Sequence, residues 1–412
     1  MLALVTVTTQ DSAARLRDGA AVHRYVTRVC FKTGPPLLVG TELELLVAFG
    51  DRPGEVVPLD LLRALLGAAG PTPCGSFLTF EPGGQLELSS PALPGASATH
   101  RALATDLAHV RTALRGSGLV LLPTAVDPFR LPYRQLHHPR YDAMEAYFAA
   151  TGASQGPVMM TSTAATQVNL DVGATPAEAA TRWRLLHDLG PVMVAAFANS
   201  PQHAGRRTGW KSTRQRVWQS LDAAAVHPPL GEDPAAAFTD YALDAPLMMR
   251  PREGADWAVP PGPTFRDWVE GRLQAQLGDA PTEADLAYHL TTLFPPVRPR
   301  GWFEVRYLDS LPDPWWAAPA AVLSALLDDP VASDAATEAA APVAGRWEDA
   351  ARHGLDDTAL ATAALACFTA AVDALPRLDA DPGLTALVAE FTDRYVAQGR
   401  SPADDPFTLE AP

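Results

Sequence analysis

The sequence predicts an α+β fold: a sheet with one polar face and one apolar face, the apolar face covered by helices. Three observations predict it. Four separated stretches alternate polar and apolar residues with period 2, the spacing of a half-wet strand. The segments between several of them place apolar residues at helical intervals. From about residue 314 onward the chain is alanine-rich and reads as helix packed beside the sheet.

The chain has 412 residues, 47% of them hydrophobic, enough for a large core. Its formal charge of −15 makes nucleic acid and anionic membrane surfaces poor partners. A phosphate-bearing ligand would need a local basic patch or metal ions. The three cysteines, Cys30, Cys74 and Cys367, cannot build a disulfide framework and lack metal-ligand spacing, so a cytoplasmic setting and buried structural roles are expected. Met1–Val5 is apolar but short and has no basic leader, and no run of about 18 apolar residues suggests a membrane span.

Taken in order, residues 12–30 carry Ala13, Leu16, Ala20, Val22 and Val26 at helical spacing, and Pro35-Pro36 lies beyond their end. Residues 38–47 alternate as a strand, with Glu42 and Glu44 on one face; alone, it reads as an edge strand whose glutamates meet water. After a short helix at 58–68, residues 76–89 form a hairpin. Its turn is Pro82-Gly83-Gly84, and its second arm puts Gln85, Glu87 and Ser89 on one face and Leu86 and Leu88 on the other. Ser97 is the expected N-cap of a helix running to about Arg115. A short buried strand at 119–123 and a helix at 140–151 follow.

Residues 163–171 are the third alternating strand, presenting Gln167, Asn169 and Asp171 together. Residues 176–198 are helical, kinked or split by Pro191 near Gly190. The most basic stretch, Arg206 to Arg216, lacks P-loop spacing and reads either as a solvated turn anchored by Trp210 or as an anion site. Residues 226–264 are rich in proline and alanine and are expected to be irregular. Thr282 and Asp285 form a capping-box pattern that opens a helix to about Leu293. Residues 301–309 are the fourth alternating strand, with Glu304 and Arg306 on one face and Phe303, Val305 and Tyr307 on the other. Residues 401–412 are expected to be a disordered tail.

If the four strands share a sheet, Glu42, Glu44, Glu87 and Glu304 face one cavity together with Gln85, Gln167, Asn169 and Arg306. Crowded carboxylates repel one another unless a cation is present, and oxygen ligands without histidine or cysteine favour Mg²⁺ or Mn²⁺ over zinc.

These residues also resemble a known family. Gly40-Thr41-Glu42-Leu43-Glu44, Glu81-Pro82-Gly83-Gly84-Gln85-Leu86-Glu87-Leu88-Ser89, Gln167-Val168-Asn169-Leu170-Asp171, Thr208-Gly209-Trp210-Lys211-Ser212-Thr213-Arg214 and the run from His289 to Asp309 are similar, in order, to motifs of the plant-and-bacterial glutamate–cysteine ligases. The last run looks most like the actinobacterial branch that serves ergothioneine biosynthesis. The resemblance implies a curved, mainly antiparallel sheet related to the glutamine synthetase catalytic fold. It implies one catalytic domain over residues 1–400, and ATP, Mg²⁺, glutamate and cysteine as ligands. By motif it makes Glu42, Glu44, Glu87, Gln167 and Glu304 metal-binding positions. It makes Arg306 and Arg214 catalytic contacts to glutamate or the transferred phosphate, with Gln85, Asn169 and Lys211 binding substrate or nucleotide. Two other readings fit the same motifs: a ligase joining glutamate to a different amine, and a non-catalytic nucleotide- or metal-binding protein on the same fold.

Overall fold

In the computed structural model, residues 14–227 and 229–409 are described. The strands are β1 (Leu38–Phe49), β2 (Phe77–Phe80), β3 (Leu86–Ser89), β4 (Leu93–Pro94), β5 (Leu119–Leu122), β6 (Ala165–Asp171), β7 (Gln202–His203), β8 (Arg206–Arg207), β9 (Val297–Pro299) and β10 (Trp302–Asp309). Eight of them form one sheet with the order β2-β3-β1-β6-β10-β9, while β4 and β5 also pair with β1; every pairing is antiparallel. β7 and β8 make a separate hairpin.

β1 is the spine. Its 12 residues pair with β3 through Glu42–Leu45, with β6 through Val39–Leu43 and with β5 through Leu46–Phe49. The apolar residues of the alternating strands (Leu43, Leu88, Val168, Leu170, Phe303 and Val305) are all buried in the main core. Behind the sheet, Phe31, Trp183 and Phe303 pack ring against ring, with centroids 5.2–5.9 Å apart. That geometry adds orientation to the gain from burying large rings.

The β2–β3 turn depends on its glycines. Gly84 sits at φ +90°, where an L side chain is strained, and a Cβ on Gly83 would lie 2.2 Å from the carbonyl oxygen of Thr161. The helical segment after β6 splits as expected into Pro176–Asp188 and Gly190–Ala196, with Pro191 in the first turn of the second piece. The capping box at Thr282 and Asp285 is present and opens the helix Glu283–Leu290.

Several expectations are corrected. The first helix begins at Gly19, because Asp18 caps it by accepting from the Ala21 amide at 2.7 Å; residues 12 and 13 lie outside the described range. The helix assigned to Ser97 starts at Gly95 after Pro94, and the Ser97 hydroxyl accepts from the Asp381 amide instead. Residues 226–264 contain a regular helix, Pro234–Asp244, capped by Asp233. Cys30 and Cys367 are buried, but Cys74 is exposed. The stretch Thr358–Leu378 is long and apolar enough to cross a membrane by length and composition. One side of it, including Leu360, Ala364, Cys367 and Phe368, is buried against neighbouring helices. The tail is not frayed through Leu409: Ser401 is fully buried, Phe407 packs edge-on against Phe129 at 5.7 Å, and Asp404 pairs with Lys211. Apolar and charged anchors alternate closely there, and they outweigh the effect of its prolines.

Candidate active site

The strand registers bring the polar residues onto one face. Glu44 lies opposite Glu87, Glu42 lies opposite Gln167, and Glu304 lies opposite Asn169. Two of the amides serve the glutamates directly. Asn169 Nδ2 donates to Glu42 at 2.9 Å, and Gln167 Nε2 donates to Glu44 at 2.9 Å, where the Ala165 amide adds a bond of 2.8 Å. Asn169 is itself held by the Trp302 indole N–H at 3.0 Å. The Ser89 hydroxyl donates to Glu87 at 2.8 Å.

β10 carries a bulge between Val305 and Leu308, so Arg306 and Tyr307 together face one residue of β6, Gln167. Bulges re-aim side chains. Here the bulge turns Tyr307 into the core and sends Arg306 Nη1 to Gln167 Oε1 at 2.8 Å and to Glu304 at 3.2 Å. Glu304 is 1% exposed and is also gripped by Arg298 at 2.6 Å and Arg300 at 3.1 Å. Burial alone would raise its carboxyl, but these three arginines overwhelm that and hold it well below the usual carboxylate range.

The remaining acids lack such partners. Burial, then the nearby charges of Glu304 and Glu87, push Glu42 up to about 7. Burial also raises Glu44, with Arg214 opposing and Glu87 reinforcing. Glu81, at the start of the hairpin turn, is raised well above its ordinary value by burial, by the charges of Glu87 and Glu44, and by hydrogen bonding to Glu87. Three acids this reluctant to ionise, Glu42, Glu44 and Glu81, suit a hard cation with oxygen ligands. Among the described residues, no three acidic or histidine side chains are grouped as a metal site. Several donors face amides or arginines instead, and Gln167 gives its carbonyl oxygen to Arg306.

Arg214, 2% exposed, stands in the helix Thr213–Gln219. Its Nη2 donates to the Arg306 carbonyl at 2.8 Å, while its Nε and Nη1 have no hydrogen-bond partner. The Arg214 and Arg306 guanidinium groups each lie 5.7 Å from the Trp218 ring centroid. Two cations next to four acids can grip an anion beside a bound metal ion.

Two predicted site residues are engaged elsewhere. Gln85 is 3% exposed and uses its whole amide to staple the hairpin: Nε2 donates to the carbonyls of Thr163 and Met160, and Oε1 accepts from the Gly83 amide. Lys211 pairs with Asp404 and, at 3.0 Å, with Asp356, so its ammonium anchors the C-terminal region. Conversely, sequence reasoning missed Glu81, Arg298 and Arg300. Glu81 stands outside the alternating second arm of the hairpin, and it pairs across the turn with Gln85 through a 2.9 Å backbone bond. Arg298 and Arg300 flank a proline read as a helix stop, whereas β9 is an edge strand where proline is tolerated.

Residues 38–409 match the family model described as glutamate-cysteine ligase family 2. The chain is 48% identical over 398 residues to the glutamate–cysteine ligase EgtA of Mycolicibacterium smegmatis, covering 94% of this chain and 90% of that protein. It is 44% identical over 406 residues to EgtA of Mycobacterium tuberculosis, covering 96% and 92%. The chloroplastic glutamate–cysteine ligase of Brassica juncea is more distant, 33% identical over 263 residues, covering 62% and 50%. Among solved structures, the glutamate–cysteine ligase of Francisella tularensis in complex with AMP aligns with a TM-score of 0.50 at 13% identity, over 90% of this chain and 84% of that one, a likeness of fold. With a match across nine-tenths of its length and relatives this similar, the chain belongs to glutamate–cysteine ligase family 2.

Proposed function

We propose that this chain joins the γ-carboxylate of L-glutamate to the amine of L-cysteine, consuming ATP and releasing γ-glutamylcysteine, ADP and phosphate. The product would feed ergothioneine biosynthesis in a cytoplasm that keeps the cysteine substrate reduced. The observation that carries the site assignment is the convergence of Glu42 and Glu44 from β1, Glu87 from β3 and Glu304 from β10, with Arg306 and Arg214 at their edge.

A free carboxylate is a poor electrophile. In this reading the γ-carboxylate of glutamate attacks the γ-phosphorus of ATP, ADP leaves, and an acyl phosphate forms. The cysteine amine then adds to the acyl carbon, loses a proton and expels phosphate. No protein nucleophile is needed, in keeping with buried Cys30 and Cys367. Such transfers depend on positioning and on charge neutralisation. Glu42, Glu44, Glu81 and Glu87 are the residues that would hold divalent metal, Mg²⁺ or Mn²⁺, which when bound supplies cationic charge to the phosphates. Glu304, pinned by arginines, stays anionic throughout the working range and is the fifth acidic position. Gln167 and Asn169 orient Glu44 and Glu42. Arg306, and Arg214 with its unused N–H groups, would hold the glutamate carboxylate or the phosphoryl group.

The test is ADP release by the full chain with glutamate, cysteine and Mg²⁺ each omitted in turn. Turnover should require all three. Equal turnover with unrelated amines in place of cysteine would give the acceptor to another compound, and ATP binding without turnover on any amine would refute the enzyme reading.

A further inference from the structure

Asp309 ends β10 and is 2% exposed, yet it touches neither the acidic cluster nor a basic side chain within ion-pair distance among the described residues. Its carboxylate is spent on a loop and a helix start. Oδ2 accepts from the Ser200 hydroxyl at 2.7 Å and the Asn199 amide at 2.8 Å, and Oδ1 accepts from the Ser212 hydroxyl at 2.8 Å. Both serines are buried. With each hydroxyl proton committed to Asp309, the serine oxygens turn their lone pairs outward. Ser200 Oγ accepts from the Arg214 amide at 3.1 Å, and Ser212 Oγ accepts from the Gln215 amide at 3.1 Å. One carboxylate therefore fixes the first turn of the helix Thr213–Gln219, whose second residue is Arg214. Hydrogen bonds to a buried charge are the strong kind, and a group that orients a site residue needs such rigidity.

Building on the role proposed above for Arg214, we propose that Asp309 is a positioning residue: through Ser200 and Ser212 it places the Arg214 guanidinium beside Arg306 with two N–H groups facing an anion. An asparagine at 309 would present an NH₂ to one of the two hydroxyls, break the relay on that side and let the helix start shift.

The experiment is a cycle on the full chain: D309N, R214A and the double variant, assayed for ADP release. D309N should lose about 10- to 100-fold in kcat/KM, the usual cost of removing an orienting group. The double variant should be no worse than R214A, because the two act as one unit. Losses that multiply would overturn the proposal. A second readout needs no turnover. The arginine Nε–H resonance that disappears in R214A identifies Arg214; it should be sharp in the wild type and broadened or lost in D309N. An unchanged resonance in D309N would refute the positioning role even if activity falls. Wild-type turnover in R214A would remove the proposed role of Arg214 in catalysis, and the spectrum would still decide whether Asp309 places it. If D309N does not fold, S200A and S212A keep the carboxylate and each cut one arm of the relay. Each should show a smaller loss that vanishes in the R214A background, and an additive loss would overturn the proposal.

Discussion

Glu42→Gln tests whether the acidic face awaits a cation. The Glu42 carboxyl is raised in the folded protein from 4.5 to about 7, first by burial, then by Glu304 and Glu87. A raised carboxyl favours the folded state while it is protonated. That contribution is complete below about pH 4.5 and is lost as pH climbs through 7. Moving a carboxyl that far corresponds to about 3 kcal/mol, and its partial exposure trims the penalty to about 2 kcal/mol. Glutamine keeps the shape and the acceptor oxygen for Asn169 Nδ2 but carries no charge. In EDTA at pH 8 the variant should therefore be the more stable protein by about 2 kcal/mol, or about 2 °C in Tm for a chain of this length. At pH 4.5 to 5 the two should melt together. Mg²⁺ should raise the Tm of the wild type more at pH 8 than at pH 5, since its ligands must be deprotonated, and should raise that of the variant less. Thermal melts at two pH values, with and without Mg²⁺, decide it. A variant destabilised equally at both pH values would refute the reasoning, because it would mean that neighbouring groups such as Arg300 already satisfy the carboxylate.

Three further outcomes are expected. Arg306→Ala removes the contacts to Gln167 and Glu304 and should cut ADP release by about 10²- to 10³-fold, with no rescue by added Mg²⁺; wild-type rates would take Arg306 out of the site. Glu81→Gln and Glu87→Gln should each abolish ADP release dependent on glutamate and cysteine while circular dichroism stays unchanged, and full activity in either would free that residue from a role. Gln85→Ala breaks three hydrogen bonds, two of them buried, and should cost about 2–3 kcal/mol of stability with little change in the KM values; a raised KM at unchanged Tm would return Gln85 to substrate binding.

The alternating strands were legible because a half-buried strand must keep its apolar residues on one side, and a slip of one residue would invert them all. That constraint alone put Glu42, Glu44, Glu87, Gln167, Asn169 and Glu304 on polar faces before any pairing was known. What alternation cannot encode is which strand lies beside which. The 12-residue reach of β1, which lets it pair with β3, β5 and β6, follows from distant partners and not from its own pattern.

The residues missed share a cause: each acts where the local period breaks. Glu81 stands at a turn, Arg298 and Arg300 flank a proline on an edge strand, and Asp309 lies past a bulge that shifts the phase of β10. Lys211 is the opposite case: its motif implies a substrate contact, while a tail nearly two hundred residues away supplies Asp404. Regular strands thus supply Glu42, Glu44, Glu87 and Glu304, and the interruptions supply Glu81, the β9 and β10 arginines and their supports. The two sets are coupled at the bulge, where Arg306 reaches Gln167 and Glu304 with its side chain and Arg214 with its carbonyl. Deleting the bulge while keeping every charged residue should then disable the site as thoroughly as deleting an arginine.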